Sequence, residues 1–519
     1  MKVYIAQMRV FPGKPEENFK NMKAVVARAK KAGAALVVFP ENAISGNYAR
    51  LGSKQNEAGF QRACCDAEYA LQKLSKGIEI LVGSSEMFDE CMCSHYVDGG
   101  MDGWEHDFEV YSGYQEFTTG KEVEIEEICA RAAKRSGKPV FYVNAVGTEN
   151  SGKNIYALDG ASRVYDAAGK VAFRLEQFKE GETLVEIAKG KVKVLPLAGK
   201  SAPKSAKPAE SIAQIHDALV YMIRETLANF HIPRMVIGAS GGIDSAVSAA
   251  LYAEAIGAKN VYLVNMPTRF NSTTTKNAAR DLAKNLGSPY TVAPISDMLN
   301  AVCESLAKCE FARSDAKIKI EGLHYENLQA RTRSSSVLLS IASVLGAGIT
   351  CNGNKSEATA GYCTLYGDSC GVMCALGDLW KTQVYELANY INRKKEIIPK
   401  ASIDVPASAE LSEAMNVDEG KGDPIKYPYH DRLFSYWVDQ NHGLDETESL
   451  LEAGTLCKVI GADTKYFKKL FKTKDEALAD MRAWHRRFRG LALAKRIQFP
   501  PILSLSGSAF GGEYTESQG

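Results

Sequence analysis

The apolar residues of this chain fall into short runs of strand length, separated by stretches in which they recur at helical spacing. In the first third, the pattern predicts strands over residues 2–7, 35–39, 79–83 and 139–146, with an amphipathic helix over 16–32. Beyond residue 210 it predicts a helix over 212–230, then a buried strand ending in Val236-Ile237-Gly238 and a helix over 245–256. Strands at 261–266 and 348–352 then alternate with helices at 275–286 and 328–345, the order of a doubly wound parallel sheet. Between the halves, residues 198–210 are poor in large apolar side chains and rich in Pro, Ser and Lys, which reads as a linker. The expected organisation is a domain over 1–197, a linker over 198–210 and a domain over 211–519, with no internal repeat.

Composition narrows this only a little. At 519 residues, 45% hydrophobic and 24% charged, the chain has the make-up of a globular α/β protein with at least two cores. A net charge of +1 advertises no face for nucleic acid, and no apolar run approaches membrane-spanning length. Residues 1–7 are expected to form a strand and not a signal peptide. The twelve cysteines show no disulfide-framework spacing, so reduced thiols and a cytoplasmic setting are expected.

Candidate chemistry centres on Gly238-Ala239-Ser240-Gly241-Gly242-Ile243-Asp244-Ser245, where the buried strand turns into a helix. Glycines there let backbone N–H groups crowd around an anion, and the helix N-terminus adds positive partial charge. Ser240 and Ser245 offer hydroxyls to phosphate oxygens, and Asp244 stands where a phosphate-bound Mg²⁺ would sit. The pattern is neither a Walker loop nor a dinucleotide fingerprint. It is the Ser-Gly-Gly-x-Asp-Ser loop of enzymes that transfer AMP from ATP.

Three clusters follow it. Glu326-Asn327-Leu328-Gln329-Ala330-Arg331-Thr332-Arg333 opens a helix with two guanidinium groups suited to phosphate. Asn354-Lys355-Ser356-Glu357 and Gly367-Asp368 follow a strand end and offer two carboxylates. Gly377-Asp378-Leu379-Trp380-Lys381 places a lysine at the start of another helix. Each cluster alone has a structural explanation, such as a surface ion pair or a solvated helix face. Together, and in this order after the loop, they resemble the NAD synthetases of the long, glutamine-dependent type. Met266-Pro267-Thr268-Arg269-Phe270, Tyr427-Pro428-Tyr429-His430-Asp431 and Ala494-Lys495-Arg496 extend the resemblance across 211–518.

The resemblance implies a C-terminal ATP-pyrophosphatase domain of the adenine nucleotide alpha hydrolase-like type. Its reaction would adenylate deamido-NAD with ATP, and ammonia would then displace AMP. It implies that Gly238, Ser240, Gly241, Gly242, Asp244, Ser245, Arg331 and Lys381 hold ATP, and that Asp244 and Glu357 hold Mg²⁺. Arg331, Asn354, Glu357 and Asp368 would meet the substrate, with Asp244, Lys381 and Asp368 catalytic. It also implies a homo-oligomer, a dimer or larger.

Residues 1–196 resemble the nitrilase-type glutaminase domain of the same enzymes, an α/β sandwich. Leu36-Val37-Val38-Phe39-Pro40-Glu41 matches the turn bearing its general-base glutamate, and stretches at 139–147 and 162–171 also match. Between Glu86 and Phe117 the match fails, and neither the catalytic lysine nor the catalytic cysteine of that family has a counterpart. The domain therefore reads as a truncated pseudo-glutaminase, with Glu41 a relic and ammonia taken free or from an external glutaminase. A rival reading uses Cys91 or Cys93, close to His95, as a new nucleophile for glutamine, although no strand context supports it. A C-x-C-x-H metal clip lacks a second ligand pair. Another amidation chemistry rests on the loop alone, and a non-catalytic regulatory partner fits poorly with Asp244, Glu357 and Lys381 all in place.

Overall fold

The computed structural model describes residues 1–47, 50–84, 92–97, 100–101, 106–197 and 202–511, with backbone only at 84, 92–97 and 100–101. Two compact units emerge, one of Met1–Ser151 with Tyr156–Ala218, the other of Gly152–Ile155 with Leu219–Gly519. The division falls inside the helix Ser211–Asn229 and not before it. One reason is that Gln214, in its first turn, hydrogen-bonds Glu122 of the first unit.

The first unit opens with β1 (Lys2–Gln7), α1 (Pro15–Lys31), β2 (Leu36–Glu41), α2 (Ala58–Leu74) and β3 (Glu79–Ser84). A hairpin follows, of β4 (Met92–Val97) and β5 (Gly100–Met101), then β6 (Glu109–Gly113), α3 (Lys121–Ser136) and β7 (Val140–Asn144). Strands β8 (Val146–Ser151), β9 (Asn154–Asp159), β10 (Arg163–Tyr165), β11 (Val171–Arg174), β12 (Gly181–Ala188) and β13 (Lys191–Leu195) complete it. One sheet has the order β13-β12-β1-β2-β3-β4-β5 and a second the order β11-β10-β7-β6. Side chains alternate faces along β1, yet both faces are buried. Val3 and Ile5 share a core with Phe141 and Val143 of the second sheet, while Tyr4 and Ala6 pack with Met22 and Val26 of α1. On the far side α3 lays Cys129 and Ala133 on Val140 and Tyr142. This α–β–β–α sandwich is the one expected, and it explains why these strands read as unbroken apolar runs.

In the second unit, α4 (Ser211–Asn229) leads to β14 (Met235–Gly238), α5 (Ile243–Ile256) and β15 (Val261–Asn265). Next come α6 (Thr273–Leu286), β16 (Tyr290–Val292), α7 (Ser296–Ala307), α8 (Leu323–Arg331), α9 (Leu339–Leu345) and β17 (Gly348–Ile349). The sheet is parallel throughout, in the order β16-β15-β14-β17. Because β14 lies between β15 and β17, the chain leaves it at the point where the winding reverses. Ligands of open α/β sheets bind there.

Two elements differ from expectation. The helix expected over 328–345 begins at Leu323 and passes through a π-helical stretch, Thr332–Leu338, before α9. The strand expected over 348–352 is hydrogen-bonded only at Gly348–Ile349, after which Cys351 makes a single bridge to Cys374. After these come α10 (Lys355–Ala360) and α11 (Lys381–Ile391), then further helices to Arg496. Among the described residues, no helix is long and apolar enough to cross a membrane.

Candidate active site

The turn after β14 is held by its own hydroxyls. Gly242 N donates to Ser240 Oγ at 3.2 Å, Ser240 Oγ lies 3.1 Å from Ser245 Oγ, and Ser245 Oγ donates to the Gly242 carbonyl at 3.0 Å. Gly241 has φ +90°, and a Cβ there would sit 2.0 Å from the Thr275 carbonyl oxygen, so only glycine fits. Gly242 is extended, which starts α5 at Ile243, two residues earlier than expected. That puts Asp244 in the first turn of the helix, where its N-terminal partial charge favours a carboxylate.

Asp244 then meets residues from two other elements. Asn354 caps α10: its side chain accepts from Glu357 N at 3.0 Å, while Glu357 accepts from Asn354 N at 3.2 Å. The same asparagine donates through Nδ2 to Asp244 Oδ1 at 2.9 Å. Lys381 opens α11, whose first N–H groups donate to Ser356 Oγ at 2.9 Å and Asp431 Oδ2 at 2.8 Å. Pinned this way, Lys381 Nζ stands 2.5 Å from Asp244 Oδ2 and 3.3 Å from Glu357 Oε1, above the Tyr427 ring.

The electrostatics follow from burial. Burial alone would discharge Lys381, but Asp244 and Glu357 outweigh it and hold the ammonium charged, above its usual range. Burial pushes Glu357 up to about 8, against the pull of Lys381. Two carboxylates facing one cation are a donor set that suits a hard divalent ion completed by substrate phosphates. Among the described residues no group of three or more His, Cys, Asp or Glu is placed to hold a metal.

These side chains line a cavity of about 630 Å³ within the second unit. Of the residues picked from sequence, Gly238, Ser240, Gly242, Asp244, Ser245, Arg331, Glu357, Asp368 and Lys381 all border it. Gly241 and Asn354 do not. Gly241 is turned toward Thr275, and Asn354 is fully buried behind Asp244, so it positions a cavity residue without facing the cavity. Arg331 is exposed and its Nε donates to the Leu365 carbonyl at 3.1 Å. Asp368, raised by burial, accepts from Thr364 N at 2.7 Å.

Sequence reading missed several lining residues. Arg333 shares with Arg331 the expectation of a phosphate contact, but only Arg331 is among the site residues that the resemblance implies. Lys495 donates to the carbonyls of Gly361 at 2.8 Å and Cys363 at 2.5 Å beside Asp368, and lay in a tail used only for likeness. Asp423, bonded to Tyr427 Oη at 2.8 Å, lies in a Gly-Asp-Pro stretch that reads as a turn.

In the first unit, Glu41 ends β2, accepts from Tyr114 N, and is pushed up by burial. Ser112 Cβ lies 2.4 Å from where a Gly83 Cβ would be, so β6 closely fills the ground beside Glu41. Cys91 lies outside the described residues, and Cys93 and His95 fall in β4, described by backbone only.

Comparison with known proteins adds three findings. The family model described as NAD synthase matches residues 215–474, half of the chain. A glutamine-dependent NAD(+) synthetase of Synechocystis sp. is 35% identical over 297 residues, 57% of this chain and 50% of that protein. One of Thermotoga maritima is 30% identical over 390 residues, 70% of this chain and 65% of that protein. The matched stretch thus spans about half of the first relative's length. Among solved structures, a glutamine-dependent NAD+ synthetase from Acinetobacter baumannii in complex with ADP superposes with TM-score 0.68 at 23% identity, covering 100% of this chain and 99% of the other. A glutamine-dependent NAD(+) synthetase from Cytophaga hutchinsonii gives TM-score 0.76 at 14% identity over 98% and 96% of the two chains. At these identities the likeness is one of fold.

Proposed function

The chain belongs to the NAD synthase family, and from that premise we propose that it is an amide-forming ligase that makes NAD from deamido-NAD, ATP and ammonia. The observation that carries this reading is the meeting of Asp244, Glu357 and Lys381 at the phosphate loop, on the wall of one cavity. The nicotinate carboxylate of deamido-NAD resists ammonia because oxide is a hopeless leaving group. Its oxygen therefore attacks the α-phosphorus of ATP, pyrophosphate departs, and an acyl adenylate remains. Ammonia adds to the acyl carbon, loses a proton, and AMP leaves with the C–O bond electrons.

The difficulty is electrostatic, since a carboxylate must approach a triphosphate. Loop N–H groups, Ser240 and Ser245 take phosphate oxygens, and Lys381 supplies a fixed positive charge against them. Asp244 and Glu357 would hold Mg²⁺, which when bound neutralises phosphate charge and aligns the leaving group. Arg331 and Asp368 lie on the wall toward Leu365 and Lys495, where we place the dinucleotide and the incoming ammonia.

We further infer that the first unit no longer hydrolyses glutamine. Between Ser84 and Phe108 the described residues form only the short hairpin β4–β5, and Glu41 is crowded by Gly83, Ser112 and Tyr114. Nitrogen then comes from free ammonia or another protein's glutaminase. The setting is cytoplasmic and the enzyme a homo-oligomer, with neither nucleic acid nor membrane in its task. Retained glutamine use is the second reading, favoured by the names of the relatives.

The test is NAD formation from deamido-NAD, ATP and Mg²⁺ with ammonium chloride or with amide-¹⁵N glutamine. Turnover with ammonium and no ¹⁵N in NAD is expected. Label in NAD would establish the second reading, and no turnover with either would end the proposal.

A further inference from the structure

Two arginines stand where α8 passes into the π-helical stretch, and the outer one, Arg331, is the more obvious ligand. The inner one is the less satisfied. Arg333 lies in the π-helical stretch 332–338, which widens the helix by one residue per turn where the wall of the cavity passes. Its Nε donates to the Met266 carbonyl at 3.1 Å, at the end of β15. Among the described residues no other hydrogen bond reaches the guanidinium, and its Nη2 is enclosed without a partner. The nearby carboxylates are engaged elsewhere. Asp368 accepts from Thr364 N at 2.7 Å, and Glu410 from Thr275 Oγ1 at 2.6 Å and Ser272 N at 3.1 Å. Both act on Arg333 only through space.

A guanidinium presents a planar fork of donors, and leaving most of it unpaired beside a cavity is costly unless a ligand completes it. We propose that Arg333 is a nucleotide-binding residue whose Nη edge donates to a phosphate oxygen of one of the two nucleotide substrates. Arg331, by contrast, is exposed and partly engaged by the Leu365 carbonyl. Phosphate is favoured over the nicotinate carboxylate on chemical grounds. A carboxylate clamped on a guanidinium fork loses charge density just where it must act as nucleophile. The Met266 bond leaves Nε occupied and the Nη edge for the ligand. The site is the one assigned above to NAD synthesis, so the proposal rests on that reading for the identity of the nucleotides.

Titration calorimetry with ATP and, separately, with deamido-NAD tests it in wild type, Arg333→Lys and Arg333→Met. Lysine keeps the charge but cannot hold the Met266 carbonyl and a phosphate together. Both variants are expected to lose roughly tenfold to a hundredfold affinity for one nucleotide while keeping it for the other. The thermal midpoint of Arg333→Lys should stay at the wild-type value, which separates lost binding from lost structure. Weakened ATP binding places the phosphate on ATP, and weakened deamido-NAD binding places it on the dinucleotide. Unchanged affinity for both, or loss only in variants that melt early, would overturn the assignment. Wild type that binds ATP yet forms no NAD would defeat the proposed NAD-forming activity and leave the Arg333 result standing.

Discussion

Lys381 shows how one side chain can be a structural liability in the place where the proposed reaction calls for a fixed positive charge. Its ammonium is buried between Asp244 and Glu357, and its pKa is raised by them once burial has been overcome. Lys381→Met leaves two carboxylates facing each other without a cation. Breaking a buried pair in this way costs about 3–5 kcal/mol. NAD formation should fall at least about a hundredfold, the scale of losing one charge placed at a reacting phosphate. Thermal unfolding and initial rates measured together would check both. A second residue, Glu149 of the first unit, makes a pH prediction. Burial pushes it up to about 7, against the lowering influence of Tyr114 and Arg50. The folded protein thus holds a proton that the unfolded chain gives up near pH 4.5. The stabilisation is complete below that pH and is lost as pH rises toward 7. Glu149→Gln should therefore flatten the decline of the thermal midpoint across this window. At pH 8 it should add on the order of 2–3 kcal/mol.

Short elements carry most of the site. Helix α10 has only six residues, too few to hold itself together in water, so its cap matters. Asn354 does two things at once: its Oδ1 caps Glu357 N and its Nδ2 holds Asp244. The two roles can be separated. Asn354→Ala should cost about 1 kcal/mol in stability and also lower activity. Asn354→Ser restores an oxygen for the cap but offers no amide to Asp244, so stability should return while the NAD-forming rate stays low. If serine restores both, the bond to Asp244 is unimportant. Elements of this length carry a weak sequence signal. In the sequence Asn354 and Glu357 read as ligands and not as a cap, and no local pattern tells that the cap's other hand reaches 110 residues back. The π-helical stretch was equally hidden, because its residues keep an ordinary helical spacing.

Across the molecule, an α–β–β–α unit and a parallel-sheet unit are each well packed around cores of their own. In the first, the proposal of a relic predicts independence from Glu41. Glu41→Gln should leave the ammonium-supported rate within about twofold of wild type, since the residues lining the cavity all belong to the second unit. A collapse of that rate, in a variant with an unchanged thermal midpoint, would show that Glu41 still takes part in the reaction. The division between units falls within helix α4 and also assigns Gly152–Ile155 to the second unit, which no linker composition signals.

The sequence alone determined the fold class, the glycine turn after β14 and nine of the side chains and backbone positions that border the cavity. These are written in short-range signals, namely apolar runs of strand length, a turn that only glycine can make, and charges at helix starts. Gly238 to Ser245 is such a signal, complete within eight consecutive residues. Tertiary structure decided which charges meet. Asp244, Asn354, Glu357 and Lys381 come from three helix starts, and their distances depend on how α5, α10 and α11 are pinned by buried partners such as Ser356 and Asp431. It also decided that Arg333 and Lys495 face the cavity while Asn354 stands behind it. Which way a side chain faces is set by long-range packing, and no local pattern encodes that.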